Sequence, residues 1–296
     1  MASKRSQILA VILKLTLKKM FCKSGSATKE RGLLEKMSAM MSRRQVGTKA
    51  LVGGVPGEWQ EAKVGSKDIV ILYLHGGGYV IGSPITHRGL VGSIADAAQA
   101  RAFILDYRLS PETPFPGALE DAVAAYKALL EAGEKPEKII IAGDSAGGGL
   151  TIATLVSLKE QGIELPAAGV CLSPWVDLTF SGDSVMTKDK VDPILNRDSL
   201  AWFAEQYLAG QDASNPLVSP VFADLSGLPP LLIQVGSDEV LLDDAIRLNK
   251  AAIKAGVDSK LEVWDGQMHV WPLMSAFVPE GKHAIEVIAT FIKART

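Results

Sequence analysis

The tightest constraint on this chain is the run Gly143-Asp144-Ser145-Ala146-Gly147-Gly148-Gly149. An apolar stretch, Ile139-Ile140-Ile141-Ala142, precedes it, and an amphipathic stretch follows from Leu150. A strand that runs straight into a helix leaves little room for the turn between them. Glycines at 143 and 147 remove the Cβ atoms that would collide there. Such a turn holds Ser145 in a strained conformation, with its hydroxyl exposed at the N-terminal end of a helix. A plain turn can carry the same letters, so the rest of the chain has to decide.

The surrounding pattern is an alternation. Asp68 to Leu74 is a near-continuous apolar run, as a strand covered on both faces requires, and it ends in His75-Gly76-Gly77-Gly78-Tyr79. Next come an apolar run over 102–105, a helix predicted over 117–131 and a strand over 138–142. The helix after Ser145 is expected to reach about Gln161, with a strand over 168–172 beyond it. Later segments read as a strand over 231–235, a helix over 242–255, a strand over 260–264 and a final helix from about Lys282. Strands alternating with helices at this spacing imply an α/β fold, with a mostly parallel sheet flanked by helices on both faces. Before the alternation, residues 46–52 and 58–64 read as a hairpin around Gly53-Gly54 and Pro56-Gly57.

Two segments stand outside the rhythm. Residues 177–215 carry no convincing strand but a helix around 198–208, and a segment this long reads as a cover over the site. At the other end, Lys4-Arg5 followed by Ile8 to Leu13 imitates an export signal. Lys14, Lys18 and Lys19 break the apolar run, and no small-x-small cleavage site follows. Ile8, Val11, Ile12 and Leu15 fall at helical spacing, which favours an amphipathic helix packed on the protein. Residues 24–44 read as a second helical segment containing Met37, Met40 and Met41. The expected division is therefore an N-terminal cap part over 1–45, a catalytic α/β domain over 46–176 and 216–296, and an inserted cap part over 177–215. Both cap parts are expected over the C-terminal edge of the sheet, where open α/β sheets bind ligands.

Composition narrows the function. The 296 residues are 47% hydrophobic and 22% charged, with a formal net charge of −2, so no basic excess speaks for nucleic acid. No apolar run is long enough to span a bilayer, so stable membrane insertion is not expected. Cys22 and Cys171 are far apart without metal-ligand spacing, and a reducing, cytoplasmic compartment fits them.

A serine hydroxyl needs a base to become a nucleophile. Of four histidines, His75 belongs to the glycine turn, His87 follows Pro84 in a predicted loop, and His283 opens the last helix. His269 lies in the loop after the last strand, at the same sheet edge as Ser145, and is the expected base. Asp238 follows the buried strand 231–235 through Gly236-Ser237 and is the expected acid. Its competing reading is a helix N-cap, with Glu239 and Asp243 as the nearest alternatives. The order Ser145, Asp238, His269 is that of α/β-hydrolases. The N–H groups of Gly77, Gly78 and Ala146 are placed to meet a developing oxyanion.

Taken together, His75-Gly76-Gly77-Gly78, Asp106 to Glu112, Phe115-Pro116, Gly143 to Gly148, Ser173 to Asp177 and Gly236 to Glu239 resemble the hormone-sensitive-lipase family of serine esterases. The motifs run in the family's order from about residue 69 to 272. The resemblance implies an α/β-hydrolase fold with a helical cap. It assigns Ser145, Asp238 and His269 as the catalytic residues and Gly77, Gly78 and Ala146 as the oxyanion hole. It implies neither metal nor cofactor, and makes Asp106 to Glu112 and Pro174 to Asp177 scaffold. The substrate it implies is a short-to-medium-chain acyl ester of a small molecule, and homodimerisation is drawn from the resemblance alone. Met40, Tyr79, Trp202 and Phe203 are expected as substrate contacts. A small-molecule deacetylase or amidase would use the same machinery, and a non-catalytic binding protein of this fold would be expected to lack the base.

Overall fold

The computed structural model describes residues 2–16, 18, 26–41, 46–65 and 68–296, without the side chains of Met40 and Met41. In chain order the elements are α1 (Lys4–Leu15), α2 (Ala27–Met41), β1 (Thr48–Val52), β2 (Val55–Glu61), β3 (Val70–Leu74), α3 (Pro84–Ala98) and β4 (Arg101–Leu105). Then follow α4 (Gly117–Glu131), β5 (Ile139–Asp144), α5 (Ala146–Glu160), β6 (Ala168–Leu172), α6 (Ser184–Thr187) and α7 (Arg197–Leu208). The chain closes with β7 (Leu231–Gly236), α8 (Leu242–Lys254), β8 (Ser259–Trp264) and α9 (Pro279–Arg295).

These strands form one sheet in the order β1-β2-β4-β3-β5-β6-β7-β8. β2 pairs antiparallel with β1 and β4, and every pairing from β4 to β8 is parallel. Residues of β3, β5, β6 and β7 are buried throughout, and successive side chains point to opposite faces. Leu72, Leu74, Ile139 and Ile141 pack with α4, α5 and α8 on one face. Ile71, Tyr73, Ile140 and Leu232 pack with Leu90, Val91 and Ile94 of α3 and Ile288 and Ile292 of α9 on the other. Helices on both faces explain why these strands are continuous apolar runs.

Two expectations about the chain change. The hairpin turns at Gly53-Gly54, both at positive φ, and Pro56-Gly57 lies inside β2. The segment after Pro84 is the helix α3, so His87 is a buried helical residue and not part of a loop. Pro84 in the first turn, with the Ser83 N–H donating to Thr86 Oγ1 at 2.9 Å, is an ordinary helix start.

The N-terminal segment and the 177–215 insertion touch each other. Lys14 Nζ donates to the Lys190 carbonyl at 2.6 Å, and Lys18 Nζ donates to the carbonyls of Asp189 and Asp192. α2 is tied down by Arg31, which donates to the carbonyls of Val80 and Ser110 and pairs with Glu112. No helix among the described residues is long and apolar enough to cross a membrane.

Candidate active site

Parallel register lays the C-terminal ends of β3, β5, β6 and β7 side by side, with Leu74 opposite Gly143 and Asp144 opposite Leu172. Each strand therefore releases its loop at one edge of the sheet. Between β5 and α5, Ser145 is the whole turn, at φ 53° and ψ −122°. Its N–H donates to the Leu172 carbonyl at 2.8 Å, and its carbonyl accepts from Trp175 at 2.9 Å. The turn is this tight only because of its glycines. A Cβ on Gly143 would lie 2.3 Å from the Gly147 carbonyl oxygen, and one on Gly147 would lie 1.9 Å from that of Leu74.

His269 reaches Ser145 from the loop after β8, with Nε2 3.0 Å from the serine Oγ. Its Nδ1 lies 2.7 Å from Oε2 of Glu239. All three side chains are buried, Glu239 completely. The other Glu239 oxygen accepts from the Gly236 N–H at 2.6 Å and from the Ser173 hydroxyl at 2.8 Å. That hydroxyl also accepts the Val270 N–H at 3.0 Å, tying the acid's partner to the residue after the histidine. Burial alone would lower the His269 pKa, but the charge and hydrogen bond of Glu239 outweigh it and raise the imidazole above its ordinary value.

The assignment of Asp238 as the acid is therefore corrected. Its side chain is 42% exposed, beside the Ser237 hydroxyl, with Lys188 Nζ 4.0 Å away. The Asp238 N–H is bound to the Gln267 carbonyl at 3.0 Å, which sets the turn so that residue 238 faces out and residue 239 faces in. The extra methylene of glutamate then spans the distance to the ring. Nothing local to Gly236-Ser237-Asp238-Glu239 distinguishes the two acids. The signal lies elsewhere, in a serine after β6 whose hydroxyl is positioned for one of them.

Behind the glycine loop after β3 lies a second buried polar cluster. Oδ1 of Asp144 accepts from the Tyr73 hydroxyl at 2.9 Å and from the Gly76 N–H at 3.0 Å. His87 Nε2 lies 3.2 Å from the same carboxylate. Burial would raise the Asp144 carboxyl, but His87 and the Tyr73 hydroxyl together hold it below its usual range. His75 stacks on Tyr107 at 4.2 Å between ring centroids and lies within 2.8 Å of the Gly76 carbonyl. Burial, then the neighbouring His87, lowers its pKa to about 3, so the ring is neutral.

This cluster fixes the loop from below and leaves its upper side to the site. Gly77 and Gly78 both have positive φ, and among the described residues neither amide donates to an acceptor. Ala146 opens α5, so its N–H has no intrahelical acceptor.

The expected substrate contacts divide. Tyr79 is corrected to scaffold: it is buried and stacks on Tyr207 of α7 at 3.7 Å, with planes 7° apart. That stack docks α7 onto the glycine loop. Phe203, one turn earlier on α7, covers Gly78 so closely that a Cβ there would lie 2.4 Å from the ring. Trp202 is half-buried and edge-on to Phe203 at 5.1 Å. The Met40 side chain lies outside the described residues.

One residue of the insertion was not singled out in the sequence. Asp192 is fully buried, and its carboxylate accepts the N–H groups of Ile194, Leu195 and Val240. It thereby ties the insertion to the turn that carries Glu239. Among the described residues no group of three or more His, Cys, Asp or Glu could hold a metal ion.

A family model described as alpha/beta hydrolase fold matches residues 71–273, which contain the elbow, the glycine loop and both partners of Ser145. The chain belongs to the α/β-hydrolases, in their hormone-sensitive-lipase family. An acetyl-hydrolase of Streptomyces hygroscopicus is 51% identical over 226 residues, 76% of each chain. An esterase of Acinetobacter venetianus is 38% identical over 241 residues, covering 81% of this chain and 79% of the relative. A crystal structure of an esterase from the bacterial hormone-sensitive-lipase family superimposes with a TM-score of 0.94 at 46% identity. It covers 100% of this chain and 99% of that one. Within this α/β-hydrolase the likeness extends through α1, α2 and the 177–215 insertion, where the sequence showed no motif.

Proposed function

We propose that this protein is a serine carboxylesterase in which Ser145 is the nucleophile, His269 the base and Glu239 the acid partner. The observation that carries this reading is the unbroken line Ser145 Oγ, His269 Nε2, His269 Nδ1, Glu239 Oε2, with steps of 3.0 and 2.7 Å. Ser145 attacks the ester carbonyl while His269 takes its proton. Glu239 holds the ring with Nδ1 protonated and stabilises the imidazolium. The amides of Gly77, Gly78 and Ala146 meet the oxyanion at the N-terminus of α5. His269 then protonates the leaving alcohol, and water, activated by the same ring, releases the acid from Ser145.

The substrate is a short-to-medium-chain acyl ester of a small molecule, acting in the cytoplasm without cofactor. α1, α2 and residues 177–215 form the cap that admits it, with Trp202 and Phe203 on the apolar side of the entrance. Replacing Ser145 by alanine is expected to abolish hydrolysis of a short-chain chromogenic ester, and substantial residual turnover would overturn the reading. The acetyl-hydrolase relative, at 51% identity, favours a second reading, removal of acetyl groups from small molecules. Comparing acetyl with butyryl esters of one alcohol, and with the matching acetamide, separates the two. Homodimerisation is tested independently by the sedimentation behaviour of the pure protein.

A further inference from the structure

α1 is apolar on two faces. Leu9, Ala10 and Leu13 turn inward and pack on the core, and buried Ser6 donates to Gln267 Oε1 at 3.0 Å, two residues before His269. Ile8, Val11, Ile12 and Leu15, the stripe expected from its spacing to pack on the protein, lie instead on the opposite face and are 62%, 59%, 50% and 61% exposed. Their spacing puts all four on one stripe of the helix. Exposed Lys4 and Arg5 stand at its N-terminal end, and Lys14 lies beside it. Seven basic residues, from Lys4 to Lys29, precede the first acidic residue, Glu30, in a chain whose overall formal charge is −2.

We propose that the outward face of α1 docks on an anionic lipid surface, with Ile8, Val11, Ile12 and Leu15 entering the headgroup layer and Lys4 and Arg5 contacting anionic headgroups. Two physical terms point the same way. An exposed aliphatic stripe gains by leaving water, and a local excess of cations gains by approaching a negative surface. Helices with this division lie in the plane of the interface and do not cross it, in accord with the short length of α1.

A second copy of the chain fits the face less well. Apposing two such helices about a twofold axis would bring their like charges together, and four side chains offer far less than the ~800 Å² per partner of a stable interface. Docking through α1 would hold the loop carrying His269 near the lipid surface, because Ser6 and Gln267 join the two.

The test is cosedimentation of the full chain with phosphatidylcholine vesicles, with and without phosphatidylglycerol. Wild type is expected to bind the phosphatidylglycerol vesicles and to be released by raised salt. The double variant Lys4→Glu/Arg5→Glu should weaken that binding by about tenfold or more. Val11→Ser/Ile12→Ser should weaken binding comparably, while circular dichroism stays unchanged. Absence of binding to the anionic vesicles, or binding by both variants as tight as that of wild type, would overturn the proposal. So would a dimer in sedimentation that Val11→Ser/Ile12→Ser dissolves, since the face would then belong to a second copy.

Discussion

Ser173 and Glu239 meet across the sheet edge, with the serine hydroxyl donating to Oε1 of the carboxylate at 2.8 Å. Ser173 does this from a left-handed backbone, φ 46°, and its hydroxyl oxygen accepts the Val270 N–H. One hydroxyl thus aims the free oxygen of Glu239 at His269 and pins the loop that holds the ring. Non-glycine residues held in that region are strained and persist where the surroundings over-determine them.

Removing the hydroxyl by Ser173→Ala should lower kcat by about fivefold or more, given roughly 1–3 kcal/mol for a buried group left unsatisfied. KM should change little, because Ser173 does not face the substrate. Ser173→Gly relaxes the backbone but restores no hydroxyl, so its kcat should stay low even where its thermal midpoint recovers. Recovery of kcat in the glycine variant would show that backbone shape, not the hydroxyl, is what matters.

The two neighbouring acids should separate cleanly. Glu239→Gln keeps the shape but removes the charge that stabilises the imidazolium, so kcat should fall on the order of 10³–10⁴-fold. Asp238→Asn alters an exposed side chain and should leave kcat within about twofold. Steady-state rates on a short-chain aryl ester decide this, and the reverse ranking would restore Asp238 as the acid.

The pH profile carries a signed expectation. Only neutral His269 accepts the Ser145 proton, so turnover should decline as pH falls through the histidine's pKa. Glu239 raises that pKa against the lowering effect of burial. The acid limb of kcat/KM should therefore lie above the ordinary histidine value in wild type and move to lower pH in Glu239→Gln. A limb that stays in place in the variant would mean the carboxylate is not what sets it.

Beneath the glycine loop, Asp144→Ala should leave the Gly76 N–H, the Tyr73 hydroxyl and His87 Nε2 without their shared acceptor. The expected loss is on the order of 3 kcal/mol, read from a denaturant midpoint. The folded-state carboxyl is depressed, so its contribution is present above the unfolded carboxyl pKa and lost as pH falls through the folded value. The Asp144→Asn variant should accordingly show a flatter decline in stability at acid pH. An unchanged acid limb would mean that Asp144 is not ionised in the folded state.

Much of this molecule was legible along the chain. The strands over 168–172 and 231–236 and the helix over 117–131 lie where apolar runs and helical periodicity put them. Each is a local pattern, and a parallel sheet covered on both faces lets local pattern speak. The segment after Pro84 reads as loop in the sequence, although a proline in the first turn is also a helix signal and α3 starts there. Tyr79 is expected from the sequence as a substrate contact, yet stacking on Tyr207 of a distant helix claims its ring.

The sequence alone determined that a serine stands on a strand-to-helix turn with a histidine loop and a glycine loop at the same sheet edge. Those are consequences of strand order and turn sterics, which neighbouring residues encode. Tertiary structure decided which carboxylate faces the histidine. Asp238 and Glu239 differ by one step of backbone, and that step is resolved by the Gln267 carbonyl, the Gly236 amide and the Ser173 hydroxyl. Ser173 and Gln267 are remote in sequence, and only folding brings them to bear on the choice.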